Sequence, residues 1–516
     1  MLTPVTEDRE ALVDELVRMV RGQLDPTRES TWQVEISGGV MEFRTFPERA
    51  NVLDGRDHAR EFTLLQALGA SLRGPGEDRP LVMEVSSDGS GGWTFRHAFA
   101  ASAAAVNTVV LDSDYRHPGH PRPGMPRTGA AAPTDEPTDP SVLAHVAGLV
   151  ARFTEHYQRL SGEAPEFGEA RTEADLVAAE REMGLRLPED VRALYRLIGD
   201  DRNETGLMGR YSLLSLEGVA SEYLEGQPGA WGWDEDLFGL NRVVLEADPP
   251  GLVRRVSRND WWVVVASDFG GNYCALDLDP GPGGRPGQLL VYGRDYHGPV
   301  GYIAESVTAR MEAVLAELDA GEVEWDGYPD ISLPDGDDPY NASERVGDRD
   351  LADVLREIPH RDTVQQLYLN DAETLDLSAL TATPRVRELR INRAGHVDLR
   401  LPDTVEGLKL DARHADLSVL SGHPALWDLT VKDLPVRVAD LARLPALSSL
   451  DLSETEVDDV PALADLGIRA LTLNADQWAQ LRAAGRLPKD LAAARRAGKA
   501  RVAELVDWSG WVMSAR

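Results

Sequence analysis

Six times in the last third of the chain an apolar residue is followed three and five positions later by two more. The sets are Val364/Leu367/Leu369, Val386/Leu389/Ile391, Val405/Leu408/Leu410, Leu426/Leu429/Val431, Leu447/Leu450/Leu452 and Ile468/Leu471/Leu473. The middle positions, 367, 389, 408, 429, 450 and 471, recur every 19 to 22 residues. One apolar-x-apolar strand per repeat predicts a stack of short strands sharing a core. A second apolar set, Leu377/Leu380, Leu399/Leu401, Leu417/Leu420, Leu441/Leu444 and Leu463/Leu466, supplies the opposite wall. Side chains alternate along a strand, so the residues between the leucines fall on the outer face in columns. One column is Gln366, Glu388, Gly407, Asp428, Ser449 and Ala470. The next is Tyr368, Arg390, Lys409, Thr430, Asp451 and Thr472.

Elsewhere the pattern switches between strand and helix periods. Ala11, Leu12, Leu16, Met19 and Val20 repeat as on a helix face, and so do Phe62, Leu65, Leu68 and Leu72. Trp32–Ile36 with Val40–Phe43, and Leu81–Val85 with Trp93–Phe99 across Asp88-Gly89-Ser90-Gly91-Gly92, read as hairpins. Val142, Val146, Val150, Phe153 and Tyr157 form a helical stripe. Trp261-Trp262-Val263-Val264-Val265-Ala266, Tyr273–Leu278 and Gln288–Tyr292, separated by Asp268-Phe269-Gly270-Gly271-Asn272 and a Gly/Pro loop, predict a three-stranded antiparallel meander. Residues 477–516 return to a helical composition, with Trp508 and Trp511 among the apolar positions.

Order and spacing around the meander resemble a known family. A helix opens at Thr172-Glu173-Ala174-Asp175-Leu176 and ends at Met183-Gly184. A second follows Leu187-Pro188-Glu189-Asp190, and Tyr211–Leu216 stands where a strand comes next. With Asp-x-Gly-Gly and Leu-Asp-x-Asp-Pro, residues 165–320 are similar to the SUKH superfamily of Smi/Knr cell-wall assembly regulators. The six-fold pattern resembles leucine-rich repeats. The position where that family carries asparagine holds Ala372, Ala394, Arg413, Leu434, Thr455 and Asp476, so its buried turn carbonyls need other hydrogen-bond donors. The helix–strands–helix–hairpin order of the first hundred residues resembles the small YezG-like antitoxin domains.

The expected architecture is a multidomain α+β chain. A small N-terminal α+β domain (1–115) leads through a Pro/Gly-rich linker (116–140) to a SUKH-like α+β domain with an antiparallel sheet and a leading helix (141–325). An acidic linker (326–350), a leucine-rich-repeat solenoid (351–476) and a helical C-terminal cap (477–516) follow.

Charge narrows the partners. With 53 Lys and Arg against 87 Asp and Glu, the net charge is −34. Such a surface repels nucleic acid and anionic membranes and draws basic proteins. The lone cysteine, Cys274, lies in an apolar strand and reads as a buried thiol. The first residues hold no basic segment followed by an apolar one, and a cytoplasmic protein is expected.

No catalytic, cofactor or metal motif emerges. Nucleophile elbow, phosphate loop and His-Glu-x-x-His are all missing from the sequence. His117 and His120 read as parts of a solvated linker, and Asp277 and Asp279 as a solvated strand edge. The expected binding residues are Trp231, Trp233, Asp234, Glu235 and Asp236, where rings alternate with acids, and the adjacent trio Tyr368, Arg390 and Lys409. The resemblance implies a non-catalytic protein binder, in the first place a bacterial immunity protein that neutralises a toxin, and the acidic charge points to a basic one. The alternative is an intracellular scaffold or regulator of the Smi/Knr type without a toxin. The oligomeric state stays open.

Overall fold

The computed structural model describes residues 6–515, apart from 25–26, 38–39, 47–57, 102–106, 122–130, 202–203, 226–241, 297, 322, 326–328, 332 and 334–338. The first unit comprises α1 (Thr6–Arg21), β1 (Glu29–Ser37), β2 (Val40–Phe46), α2 (His58–Leu72), β3 (Leu81–Asp88) and β4 (Trp93–Phe99). The strands form an antiparallel sheet in the order β2-β1-β3-β4. Leu16 and Val20 of α1 and Leu65 and Leu68 of α2 bury against Trp32, Val34 and Met83.

The next strand, β5 (Thr108–Val110), does not join this sheet. It pairs antiparallel with β21, near the far end of the chain. The boundary expected at residue 115 therefore leaves with the first unit a strand that pairs in the C-terminal sheet.

The central unit begins with α3 (Pro140–Ser161), α4 (Glu173–Met183) and α5 (Glu189–Tyr195). Asp139 caps α3, whose first residue is proline, and Gly162 ends it in the left-handed region. Thr172 and Asp175 form a capping box on α4. Then come β6 (Ser212–Leu213), α6 (Leu216–Glu225), β7 (Trp262–Ser267), β8 (Asn272–Asp277), β9 (Gln288–Gly293), β10 (Gly301–Ala304) and α7 (Val307–Ala320). Strand order is β10-β9-β8-β7-β6, and β7, β8 and β9 form the expected antiparallel meander. Only two residues of the expected strand at 211–216 are strand, because Leu216 opens a helix. Val263 and Val265 face α3 and the other helices, while Trp262 and Val264 pack on Ala247 and Val253. Burial on both faces explains the unbroken apolar run of β7.

Both expected linkers carry structure. Between 131 and 140 the chain lies along the central unit. Arg186 donates from its backbone N–H to the Ala131 carbonyl (2.9 Å), and Arg192 donates to the Glu136 carbonyl (3.2 Å). His117 and His120 are buried, against the expectation of a solvated linker, because Trp427 covers the one and the Arg242 backbone meets the other. The second linker holds the short pair β11 (Glu324–Trp325) and β12 (Pro329–Asp330), then β13 (Asn341–Gly347).

From there one strand follows another in parallel. They are β14 (Gln366–Ala372), β15 (Thr374–Asp376), β16 (Glu388–Asp398), β17 (Gly407–Ala415), β18 (Asp428–Lys432), β19 (Ser449–Glu454), β20 (Ala470–Leu473) and β21 (Ala493–Arg496). Ten strands form one sheet, in the order β13-β14-β16-β17-β18-β19-β20-β21-β5 with β15 beside β16. The repeated leucines stand in register, Leu367↔Leu389↔Leu408↔Leu429↔Leu450↔Leu471. Each is at most 2% exposed, so the leucine period places one continuous core. Short helical turns at Leu377–Ala382, Leu417–Leu420 and Val460–Asp465 bring Leu377, Leu380, Leu417, Leu420 and Leu463 to its other wall. In place of an asparagine ladder, Thr455 donates its hydroxyl to the Leu434 carbonyl. Gln477 donates to the carbonyls of Leu452 (2.8 Å) and Thr455 (3.0 Å).

The far end is sealed from both termini. Helices at Ala475–Ala483 and Val502–Ser514 bring Trp478, Trp508 and Val512 onto the core. The segment expected to be helical also holds a strand, since β21 extends the sheet within it. Val502 and Leu505 also pack on Val82 and Ala98 of the first sheet, and the Val502 N–H donates to buried Glu84 (3.1 Å). Among the described residues no helix is long and apolar enough to cross a membrane.

Leu450 sits inside this core, so Leu450→Ala should cost about 2–5 kcal/mol. Hydrogen exchange should show β18 to β21 and β5 losing protection together, with the meander keeping its own. Unchanged protection in β5 would mean that the first unit does not close the sheet.

Candidate protein-binding surface

Register brings the expected trio together. Tyr368, Arg390 and Lys409 are direct neighbours on three adjacent strands. The Arg390 guanidinium lies over the Tyr368 ring, 5.1 Å from its centre, and pairs with Glu388 at 2.6 Å. Lys409 is exposed and makes no ion pair among the described residues. The other expected patch, Trp231, Trp233, Asp234, Glu235 and Asp236, lies outside the described residues.

The column beside the trio is polar yet buried. Gln366, Glu388 and Ser449 are each less than 9% exposed. They are covered by a strap of the central unit, residues 242–256, which the sequence reading had not singled out. Val243 lies over Gly407, where an added Cβ would come within 2.7 Å of its Cγ2. Arg242 reaches Ser449 (2.8 Å) and Asp428 (3.1 Å). Gln365 holds the Glu246 backbone from both sides, accepting from its N–H (2.8 Å) and donating to its carbonyl (2.7 Å). Arg255 and Arg387 share Glu406 at 2.6 and 2.8 Å, and Arg387 also meets Glu246 at 3.2 Å. The N-terminal segment joins here too. The His117 ring stacks on Trp427 with 4.9 Å between centres, and His120 Nε2 lies 2.7 Å from the Arg242 carbonyl. The glycine in a column of side chains was the one signal in the sequence for this close approach.

Burial sets the electrostatics of this rim. It raises the Glu388 and Asp428 carboxyls above their usual range, against the pull of Arg390 and Arg242 respectively. Both arginines thereby compensate carboxylates that the fold has already withdrawn from water.

Asp277 and Asp279 are not a solvated edge. Asp277 is fully buried and accepts from Gln288 Nε2 (2.8 Å) and the Asp279 N–H (3.0 Å). Asp279 pairs with Arg254 at 3.1 Å and accepts from Asn259. These bonds hold the strap's far end against the meander. Burial raises the Asp277 carboxyl to about 6. Among the described residues no group of three or more His, Cys, Asp and Glu could hold a metal ion. The rim is a face of stacked cation, ring, hydroxyl and carboxylate groups.

The helices of the central unit are locked by a buried ion pair. Arg192 is fully buried and meets Glu180, also fully buried, at 2.5 Å and Glu173 at 2.9 Å. Glu180 accepts the Leu187 N–H as well (2.9 Å). Residues 171–312, which carry this pair and the meander, match the SMI1/KNR4 family model (SUKH-1). The central domain is of SUKH type.

Fungal proteins are among those similar to this SUKH-type domain. The cell wall biosynthesis/cell cycle regulator smi1 of Schizosaccharomyces pombe is 36% identical over 132 residues, which are 24% of this chain and 26% of that protein. The KNR4/SMI1 homolog 2 of Debaryomyces hansenii is 29% identical over 223 residues, covering 34% and 38%. The glucan synthesis regulatory protein of Neurospora crassa is 26% identical over 186 residues, covering 30% and 34%. The chain thus spans between 26% and 38% of the length of these relatives.

Two outcomes are expected. Gly407→Val should lift Val243 and raise hydrogen exchange across 242–256 while the parallel strands stay protected. An unperturbed strap would mean that the close approach does not hold it. The second concerns Asp201, which is fully buried and accepts the Thr205 N–H (3.0 Å). Burial raises its carboxyl from 3.8 to about 6. The folded state therefore holds this proton more tightly than the unfolded chain. The stability it contributes is full below about pH 4 and is lost as pH rises through about 6, by up to roughly 3 kcal/mol. Asp201→Asn should flatten that part of the melting-temperature profile, and an unchanged slope between pH 4 and 6 would refute the assignment.

Proposed function

We propose that this chain is a non-catalytic regulatory protein of the Smi/Knr type that acts by binding other proteins. Its C-terminal sheet, in this reading, is a leucine-rich-repeat solenoid that provides the binding face. The observation that carries the proposal is the combination of a SUKH-type domain, whose relatives are named as regulators of cell-wall and glucan synthesis, with a long strand face docked to it. One strand every 19 to 22 residues, with leucines stacked in register, supports the solenoid assignment. The expectation of bacterial toxin immunity draws no support from the relatives, which are fungal and carry regulators' names. It gives way here to the regulatory alternative. A net charge of −34 favours a partner with a basic surface and a place in the cytoplasm rather than on nucleic acid.

In this reading the trio Tyr368, Arg390 and Lys409 is the contact point, with Lys409 exposed and the other two partly buried. Replacing all three by alanine should weaken partner binding by at least about tenfold, since aromatic and arginine side chains dominate interface energies. The test is rescue in the source organism. Loss of the gene should sensitise cells to inhibitors of cell-wall synthesis. The wild-type chain should restore tolerance, and the triple variant, at equal abundance, should not. No change on gene loss would sink the regulatory reading. Full rescue by the triple variant would sink the face while leaving the regulatory reading standing.

A further inference from the structure

Phe269, at the β7–β8 turn, is unusual twice over. At 60% exposed it leads the exposed large apolar side chains of the described residues. It is also their one aromatic residue with φ in the left-handed region, at 54°. The other non-glycine residues there are Glu204, Asp371, Arg393 and Asp433. A bulky residue is strained in that region, and strain persists only where the surroundings enforce it. The turn does enforce it. Asp268 Oδ1 accepts the N–H groups of Gly270 (2.7 Å) and Asn272 (2.9 Å), and Ser267 Oγ accepts that of Phe269 (3.0 Å). Asn272 donates onward to Asp295 (2.9 Å), and the Arg294 N–H to the Gly271 carbonyl (3.0 Å). The ring is therefore held out into solvent by a fixed support.

Beside this knob lies a hollow. A cleft of about 400 Å³ opens where the SUKH-type domain, the strap and the parallel sheet meet. Arg258, Tyr292, Tyr296, Pro299 and Val300 line one side, and Gln366 belongs to its floor. The chain carries 87 carboxylate residues, yet among the described residues none lines this cleft. Its walls are set from behind. Tyr292 packs on Trp262 with 5.5 Å between ring centres, and the Tyr296 hydroxyl lies 2.7 Å from that of Tyr211. Knob and hollow share the turn Gly293–Tyr296, which touches Asn272 on one side and lines the cleft on the other.

We propose that this surface is a self-complementary dimer contact, in which Phe269 of each copy enters the cleft of a second copy. A two-fold axis near the shared turn closes two such contacts at once, so one pairing uses both the knob and the hollow of each copy. Charge is complementary at the contact. The knob carries Asp268 and Asp295, the latter paired with Arg294 at 3.4 Å, to a hollow whose described lining holds Arg258 and no acid. Over the whole molecule it is not, since two copies of net charge −34 repel. Association is therefore weak, with Kd on the order of 10 µM, and it tightens with salt. This is the opposite sign from steering of a basic partner. The inference goes beyond the regulatory reading and stands without it.

Sedimentation of the full chain from about 1 to 300 µM, in about 50 and 500 mM salt, tests it. Wild type should pass from monomer to dimer, at lower concentration in the higher salt. Phe269→Asn should weaken association by at least about tenfold. Asparagine tolerates the left-handed region, so the melting temperature of the variant at about 1 µM should equal or exceed that of wild type. Val300→Glu, which puts an acid into the cleft, should also dissociate the dimer. A wild-type chain that stays monomeric throughout overturns the proposal. So does a Phe269→Asn dimer as tight as wild type, or a lowered melting temperature of that variant, which would make the ring a packing element.

Discussion

The junction at the rim of the parallel sheet decides how the molecule is put together. Gln365 grips the Glu246 backbone, Glu406 is shared by Arg255 and Arg387, and Arg242 spans Asp428 and Ser449. These contacts are largely polar and largely withdrawn from water. Removing one member of such a set costs more than the pair contributed, because its partner stays buried and uncompensated. The apolar share is small: Val243, Leu245 and Trp427, with Tyr340 and Ala446 against them. Shape and charge therefore fix the docking more than buried area does, and a glycine at 407 is as necessary to it as any of the arginines.

A second tie joins the first unit to the last. β5 continues the parallel sheet antiparallel to β21, and the Val502 N–H ends on Glu84 in the first unit's core. A stack of parallel strands leaves two edges, each a row of unpaired backbone groups. Here the C-terminal edge is covered by a strand from some four hundred residues upstream. Repeat units couple only to their neighbours, so this closure stabilises β20 and β21 directly and the rest only through them.

Much of the architecture could be read from the sequence because it rests on local period. The leucine triplets found their strands, and the run Trp262–Ala266 found the meander. The trio Tyr368, Arg390 and Lys409 came together because register follows from the same period. What failed were side chains whose partners arrive only when strands or units pair. Asp277 looked like an edge acid, and its partner Gln288 is invisible until β8 and β9 pair. His117 sits among prolines and glycines, yet Trp427 covers its ring across more than three hundred residues. β13 went unnoticed because in Asn341–Gly347 only Ala342 and Val346 turn inward, too few for a period. The strap, too, has a plain apolar run, Val243–Leu245, but its role depends on a gap in a column that belongs to another unit.

The electrostatics of the face follow from how the acids are distributed. Most of the 87 acidic residues make the surface negative, but the few at the rim are neutralised one by one. Glu388 is the clearest case. Burial raises its carboxyl, Arg390 opposes that, and Gln366 Nε2 donates to it at 2.6 Å. An acidic group that engaged Arg390 from outside would compete with Glu388, and Gln366, part of the cleft floor, is the next residue in that chain. A basic group would instead meet Asp451 and the exposed carboxylates without disturbing it. The open row and the cleft thus meet at one buried glutamate, held by Arg390 from one side and by Gln366 from the other.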